Sequence, residues 1–248
     1  MMTVALVTGG SRGIGRATSL LLAQEGYSVV VNYHTNTEAA QAVVNEIRLA
    51  GGTAEAIRAD VSDEAQVVTM FEQIDRLFGP VDALVNNAGI LFQQARLETL
   101  TAARINQVLT TNVTSYFLCC REAVKRMAHQ HGGKGGAIVN VSSAASRLGA
   151  PGEYVDYAAS KGAVDAMTTG LSLEVAGQGI RVNGVRPGFI YTEMHASGGE
   201  PGRVDRVKTA IPMQRGGQPE EVAQAIAWLL SDKASYVTGS FIDMAGGK

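Results

Sequence analysis

Apolar residues in this chain fall into two alternating patterns, short continuous runs and longer stretches spaced three and four apart. Val4-Ala5-Leu6-Val7-Thr8 is a short run rich in β-branched residues and predicts a buried strand. Helical spacing follows through Ala17, Leu20, Leu21 and Leu22 and stops at Gly26. Ser28 to Asn32 predicts a second strand, Thr37 to Leu49 a helix closed by Gly51-Gly52, and Thr53 to Ala59 a third strand. Ser62 is the expected N-cap of a helix that runs to Phe78, where Gly79-Pro80 end it. Val81 to Val85 predicts a fourth strand, and a long, interrupted helix covers roughly Thr101 to His131. Ala137 to Val141 is a fifth strand, the helix holding Tyr157 reaches about Ala176, and Ile180 to Val185 is a sixth. Pro219 opens a last helix through Trp228 and Leu230, and Ser240 to Met244 is a short final strand. Alternating strands and helices, with strands apolar throughout, predict an α/β fold. It is a doubly wound parallel sheet of about seven strands with helices on both faces.

One segment breaks the rhythm. Residues from about 190 to 218 show little periodicity and carry Gly198, Gly199, Pro201, Gly202, Gly216 and Gly217. A long irregular stretch after the sixth strand, on the edge where open α/β sheets bind ligands, predicts a lid. No Pro/Ser-rich linker or charge run divides the chain, so one domain over 1–248 is expected.

Composition narrows the class. With 248 residues, 46% of them hydrophobic and 18% charged, the chain can bury one ample core. A net charge of −2 without a basic cluster argues against a nucleic-acid partner. No run is long enough to span a bilayer, and no basic segment precedes the first apolar run, so a cytoplasmic location is expected. Cys119 and Cys120 are adjacent in a helical pattern and read as buried thiols rather than a disulfide. His34, His129, His131 and His195 form no metal-ligand spacing, and no metal is expected.

Two features carry chemistry. The first strand runs into Gly9-Gly10-Ser11-Arg12-Gly13-Ile14-Gly15 and then a helix, the context in which a helix N-terminus receives a pyrophosphate. The second is Tyr157 with Lys161, four apart and therefore on one helical face. An ammonium that close is expected to draw the phenol pKa down toward neutrality and make Tyr157 an acid/base.

Together these residues resemble the short-chain dehydrogenases/reductases of the compact, single-domain type, with their Rossmann sheet, and the resemblance covers essentially the whole chain. Thr8 to Gly15 looks like the family's cofactor motif, Asp60-Val61 like its adenine-contacting pair, and Asn86-Asn87-Ala88-Gly89 like the motif ending the fourth strand. Asn112, Ser143, Tyr157 and Lys161 stand where the family carries a Ser-Tyr-Lys-Asn tetrad, and Pro187-Gly188, Ile190 and Thr192 where it brackets the nicotinamide. Ser143 is preferred to Ser142 because it shares a strand face with Val139 and Val141. The resemblance implies reversible hydride transfer between a nicotinamide and a carbonyl or secondary alcohol, with Lys161 also bonding the nicotinamide ribose and Asn112 holding a proton-relaying water. It implies cofactor contacts at Gly9, Ser11, Arg12, Ile14, Asn32, Asp60, Val61, Asn87, Ala88, Gly89, Tyr157, Lys161, Pro187, Gly188, Ile190 and Thr192.

Two phrases, Tyr157 to Gly162 and Ala234 to Gly239, are most similar to glucose 1-dehydrogenase-like sugar oxidoreductases of bacteria. The Ser143-to-Tyr157 interval is one residue longer than in most members, with the addition near Glu153-Tyr154-Val155. No acid follows the second strand at Tyr33-His34-Thr35, and Arg12 offers a charged fork. NADP(H) is therefore favoured, with NAD(H) possible. Substrate contacts are expected from Ser143, Ala145, Tyr154 and His195, with Glu153, Phe189 and Met194 as further pocket candidates. Alternative readings are a 3-oxoacyl-thioester or xenobiotic carbonyl reductase, and a non-catalytic nucleotide sensor. An acyl-carrier partner would need a basic patch, for which Arg203, Arg206 and Lys208 are a modest candidate diluted by Glu200 and Asp205. The family mostly forms homotetramers. Val164, Met167, Leu171 and Val175 could supply an interface face or pack inside the protomer.

Overall fold

The computed structural model describes residues 3–248. Seven parallel strands form one sheet in the order β3-β2-β1-β4-β5-β6-β7. They are β1 (Val4–Val7), β2 (Ser28–Tyr33), β3 (Thr53–Arg58), β4 (Ala83–Asn86), β5 (Gly136–Val141), β6 (Ile180–Pro187) and β7 (Phe241–Met244). The helices between them are α1 (Gly13–Gln24), α2 (Thr37–Leu49), α3 (Glu64–Phe78), α4 (Ala102–Leu109), α5 (Ser115–Met127), α6 (Ala145–Leu148), α7 (Val155–Val175), α8 (Met194–Ser197), α9 (Arg203–Val207) and α10 (Pro219–Leu230).

Period-two alternation along the strands divides the core between the two faces. Val4 and Leu6 of β1 join a cluster with Phe71, Tyr116, Cys119 and Val164, from α3, α5 and α7. Ala5 and Val7 join a second cluster with Leu22, Val43, Val44 and Ile226, from α1, α2 and α10. Both faces are thus covered, which is why the strands read as unbroken apolar runs. Val164, Met167 and Val175 are buried in the first cluster with Leu171 packed against it, so that stripe of α7 faces the sheet of its own chain. Cys119 and Cys120 are buried and free, and burial drives both thiols up, Cys120 to about 12.

Several sequence expectations need correction. The cap of α3 is Asp63, whose carboxylate accepts the Gln66 N–H, whereas the Ser62 hydroxyl donates to Asp60. The fourth strand pairs over Ala83–Asn86, later than Val81 to Val85, although Val81 is buried. The long helix ends at Met127, short of His131, and its expected interruption is a π turn at Thr110–Thr114. The stretch from about 190 to 218 is ordered by α8 and α9, each about one turn and too short to show a period. A parallel bridge between Ile190 and Gly217 closes its base. No helix among the described residues is long and apolar enough to cross a membrane.

Candidate functional site

The strand order reverses between β1 and β4, and the crevice at their carboxyl ends is where a doubly wound sheet takes a ligand. The glycine turn follows β1 there. Gly9 and Gly13 hold φ of +60° and +51°, a region that favours glycine. Gly15 has another reason to be glycine: a Cβ would collide with the Gly9 carbonyl and the Asn87 amide. The turn is pinned from both sides. Asn87 Nδ2 donates to the carbonyls of Thr8 and Gly9, each at 3.0 Å, and Thr8 Oγ1 accepts from the backbone of Asn87 (3.0 Å) and Ala88 (3.1 Å). Asn32 supports it from β2, accepting from Gly9 N–H and donating to Ile57 and Ala59 carbonyls. Arg12 precedes α1, exposed and without a side-chain hydrogen bond or ion pair among the described residues. A glycine-rich cradle at the N-terminus of a twelve-residue helix fits the pyrophosphate of a dinucleotide.

The second half of the site hangs on β5 and α7. Asp156, in the first turn of α7, accepts from Arg104 Nε at 2.7 Å and from the Tyr157 N–H at 2.9 Å, which fixes the helix start against α4. Ser143 lies just past β5, and its Oγ accepts the Ala145 N–H at 3.1 Å. The Ser143 hydroxyl also donates toward the Pro187 carbonyl at 3.5 Å. Ser142, the rejected neighbour, is buried and reaches back to the Lys161 carbonyl at 3.3 Å.

Lys161 departs from expectation. It is 3% exposed, and its Nζ donates to the Val141 carbonyl at 2.8 Å and to Tyr116 Oη at 3.3 Å. It stands 5.7 Å from the Tyr157 ring centre. Burial lowers its pKa to about 7, with Asp165 opposing. The phenol of Tyr157 is shifted upward, by desolvation, with the Ser143 bond pulling it back. The expected depression by Lys161 is therefore corrected: an amine that itself loses its charge near pH 7 stabilises a phenolate weakly, and burial outweighs it.

Asn112 sits in the π turn, fully buried. Its Oδ1 accepts from Ile90 N–H at 2.8 Å, and its Nδ2 donates to Ile90 carbonyl and Ser160 Oγ, both at 3.1 Å. The side chain has no hydrogen left to offer a water. A Cβ on Gly89 would stand 3.3 Å from Asn112 Oδ1 and 3.8 Å from Lys161 Nζ, so the β4 loop, the π turn and α7 converge there.

A cavity of about 400 Å³ joins these parts. Ile14, Asn87, Gly89, Pro187, Gly188, Ile190 and Thr192 line it together with Ser143, Tyr157 and Lys161. Ala145, Glu153, Tyr154, Phe189, Met194 and His195 line it as well, so the expected pocket candidates meet in one place. Tyr154 is buried and its hydroxyl donates to the Gly198 carbonyl at 3.2 Å. Ser11 and Ala88 belong to the pinned turn and the β4 loop. Asp60 and Val61 lie farther along, where Asp60 accepts from the Ser62 N–H at 2.9 Å and Val61 is buried.

Sequence reasoning overlooked several residues. Tyr116, which anchors Lys161, sits among apolar neighbours and carries no local signal. Lys248 lines the cavity, over the Phe189 ring. Arg58 donates to the His34 carbonyl at 3.1 Å, placing a second exposed cation near the end of β2. The basic patch does not exist as an open surface. Arg203 is 7% exposed and paired with Glu153, Arg206 is paired with Glu200, and Lys208 with Asp205.

A family model described as Enoyl-(Acyl carrier protein) reductase matches residues 9–248. The chain is 78% identical over 247 residues to an uncharacterized oxidoreductase, YgfF, of Escherichia coli, covering 100% of both. It is 41% identical to a 3-oxoacyl-[acyl-carrier-protein] reductase, FabG, of Staphylococcus aureus, covering 100% of this chain and 98% of that one. It is 42% identical to a 3-oxoacyl-[acyl-carrier-protein] reductase of Synechocystis, over 98% and 96% of the two chains.

Proposed function

Because the chain belongs to the short-chain dehydrogenase/reductase family, and is an NAD(P)-dependent oxidoreductase acting on CH–OH groups, we propose that it uses NADP(H) to reduce ketones. The observation that carries this reading is the single cavity. Ile14 of the glycine turn, with Asn87 and Gly89 of the β4 loop, lines it together with Ser143, Tyr157 and Lys161. Gly9, Ser11, Ile14, Asn87 and Gly89 would hold the dinucleotide, with Pro187, Gly188, Ile190 and Thr192 beside its reactive end. When bound, the nicotinamide supplies or takes up the hydride.

The chain supplies the proton. Tyr157, shifted upward by burial, keeps its hydroxyl proton at neutral pH and donates it to the substrate oxygen. Ser143 hydrogen-bonds the same oxygen and orients it. Lys161, with a pKa of about 7, holds or releases a proton at Nζ behind Tyr157. Asn112 braces the β4 loop beneath Lys161, and both hydrogens of its amide are already engaged.

A second reading within this chemistry, reduction of a 3-oxoacyl thioester, is supported by the reductase names of two relatives. Sugar or polyol oxidation uses the same groups and is distinguished by a panel of ketones, aldoses and polyols. A homotetramer is supported by the family's habit and by exposed apolar side chains, Leu173 at 79% and Phe117 at 54%, on α7 and α5.

Absence of an acid after β2, together with the free guanidinium of Arg12, supports NADP(H). Competitive titration of both cofactors should show tighter NADPH binding, and Arg12→Ala should narrow the gap about tenfold, as for one lost charge-assisted bond. Equal affinities unaffected by the substitution would defeat the preference.

A further inference from the structure

We infer that Arg203 and His195 form a subsite that anchors a second oxygen of the substrate, remote from the reacting carbon. The inference rests on the hydride-transfer reading above and adds the substrate feature that the cavity selects.

Arg203 is an unusual occupant of a cavity wall. It is 7% exposed and lies over two rings, Tyr154 at 4.7 Å and Phe189 at 5.4 Å. Its Nη2 is paired with the Glu153 carboxylate. Its Nη1 is buried and has no hydrogen-bond partner. The nearest further carboxylate, Glu200, stands at 3.9 Å and is held by Arg206 and Gln94. A buried guanidinium N–H without an acceptor is costly and rare in native proteins.

His195 presents the complementary gap. Its Nε2 lies 2.9 Å from the Ile190 carbonyl, which only accepts, so Nε2 carries the hydrogen. Burial, assisted by Arg203, lowers the ring pKa and keeps the imidazole neutral. Nδ1 is then a bare lone pair, buried and unpartnered. Both residues line the same cavity as Ser143 and Tyr157. Leu91, Leu148, Pro151 and Met194 add apolar lining to that cavity, and Glu153 and Lys248 add charge. An ester or thioester carbonyl can accept from Nη1, and a hydroxyl can donate to Nδ1. A ketone without a second oxygen leaves both unmet.

The test compares NADPH-dependent reduction of ethyl 3-oxobutanoate, 4-hydroxy-2-butanone and 2-heptanone. Wild type should prefer the two oxygenated ketones. Arg203→Met should lower kcat/KM for both by about tenfold or more, the effect of losing a charged hydrogen bond, and leave 2-heptanone within about threefold. His195→Phe should affect the hydroxyketone more than the ester, because an ester cannot donate to Nδ1. Arg203→Lys keeps a cation for Glu153 while removing Nη1, and should reproduce the Arg203→Met selectivity with the thermal midpoint near wild type. A uniform loss over all three ketones, or no preference in wild type, overturns the subsite. If no ketone turns over, titration of the enzyme with ethyl 3-hydroxybutanoate and with 2-heptanol, followed by ligand NMR line broadening, separates the two claims. Broadening by the hydroxy ester alone, abolished in Arg203→Met, keeps the subsite and removes only the hydride-transfer reading. Equal broadening by both ligands, or by neither, overturns the subsite.

Discussion

Lys161 shows how burial and bonding divide the work at a single residue. Its neighbours Val141 carbonyl and Tyr116 hydroxyl bind the ammonium, yet burial wins and the pKa falls from 10.5 to about 7. A folded-state pKa below the unfolded value means the folded chain binds fewer protons between about pH 7 and 10.5, so the folding stability contributed by this residue rises with pH through that window. Lys161→Met removes the penalty. Its thermal midpoint should match or exceed wild type at pH 6, with the difference shrinking toward pH 10; a deficit largest at pH 6 would show the charge to be stabilising. The spacing of Tyr157 and Lys161 on one helical face was legible from the sequence. The direction of the phenol shift was not, because it depends on desolvation by the folded chain and on Ser143, fourteen residues earlier in the sequence.

Helices and strands were mostly legible where periodicity or capping is strong. The bounds of α2 and α10 agree with their sequence signals, Gly51-Gly52 after one and Pro219 opening the other. The π turn, α8 and α9 were not, since five or fewer residues carry no measurable period. Glycines make the element-scale argument testable. Gly15 lies in the first turn of α1 against the Gly9 carbonyl, so Gly15→Ala should distort the cradle and weaken cofactor binding about tenfold or more. Gly170, exposed in α7, has open space where the methyl of an alanine would stand, and no positive φ. Gly170→Ala should raise stability by about 0.5–1 kcal/mol, measured by denaturant midpoint, with cofactor affinity unchanged. Unaltered cofactor affinity in Gly15→Ala would contradict the role given to the cradle.

At the scale of the molecule, the reversal of strand order between β1 and β4 brings segments far apart in sequence to one crevice. The glycine turn, the β4 loop, the π turn, the end of β5, α7 and the excursion after β6 all border it. The order of motifs along the chain was enough to expect that convergence. The fastening of the excursion was not legible, because Glu153 and Arg203 are fifty residues apart and read singly as surface charge. On the proposed function, a phenol proton beside a dinucleotide cradle turns the crevice into an enzyme, and Tyr157→Phe isolates that proton. NADPH affinity of the variant, measured by fluorescence titration, should equal that of wild type, while turnover of a ketone reduced by wild type falls at least ~100-fold. Wild-type turnover in Tyr157→Phe, with NADPH still bound, would contradict the account.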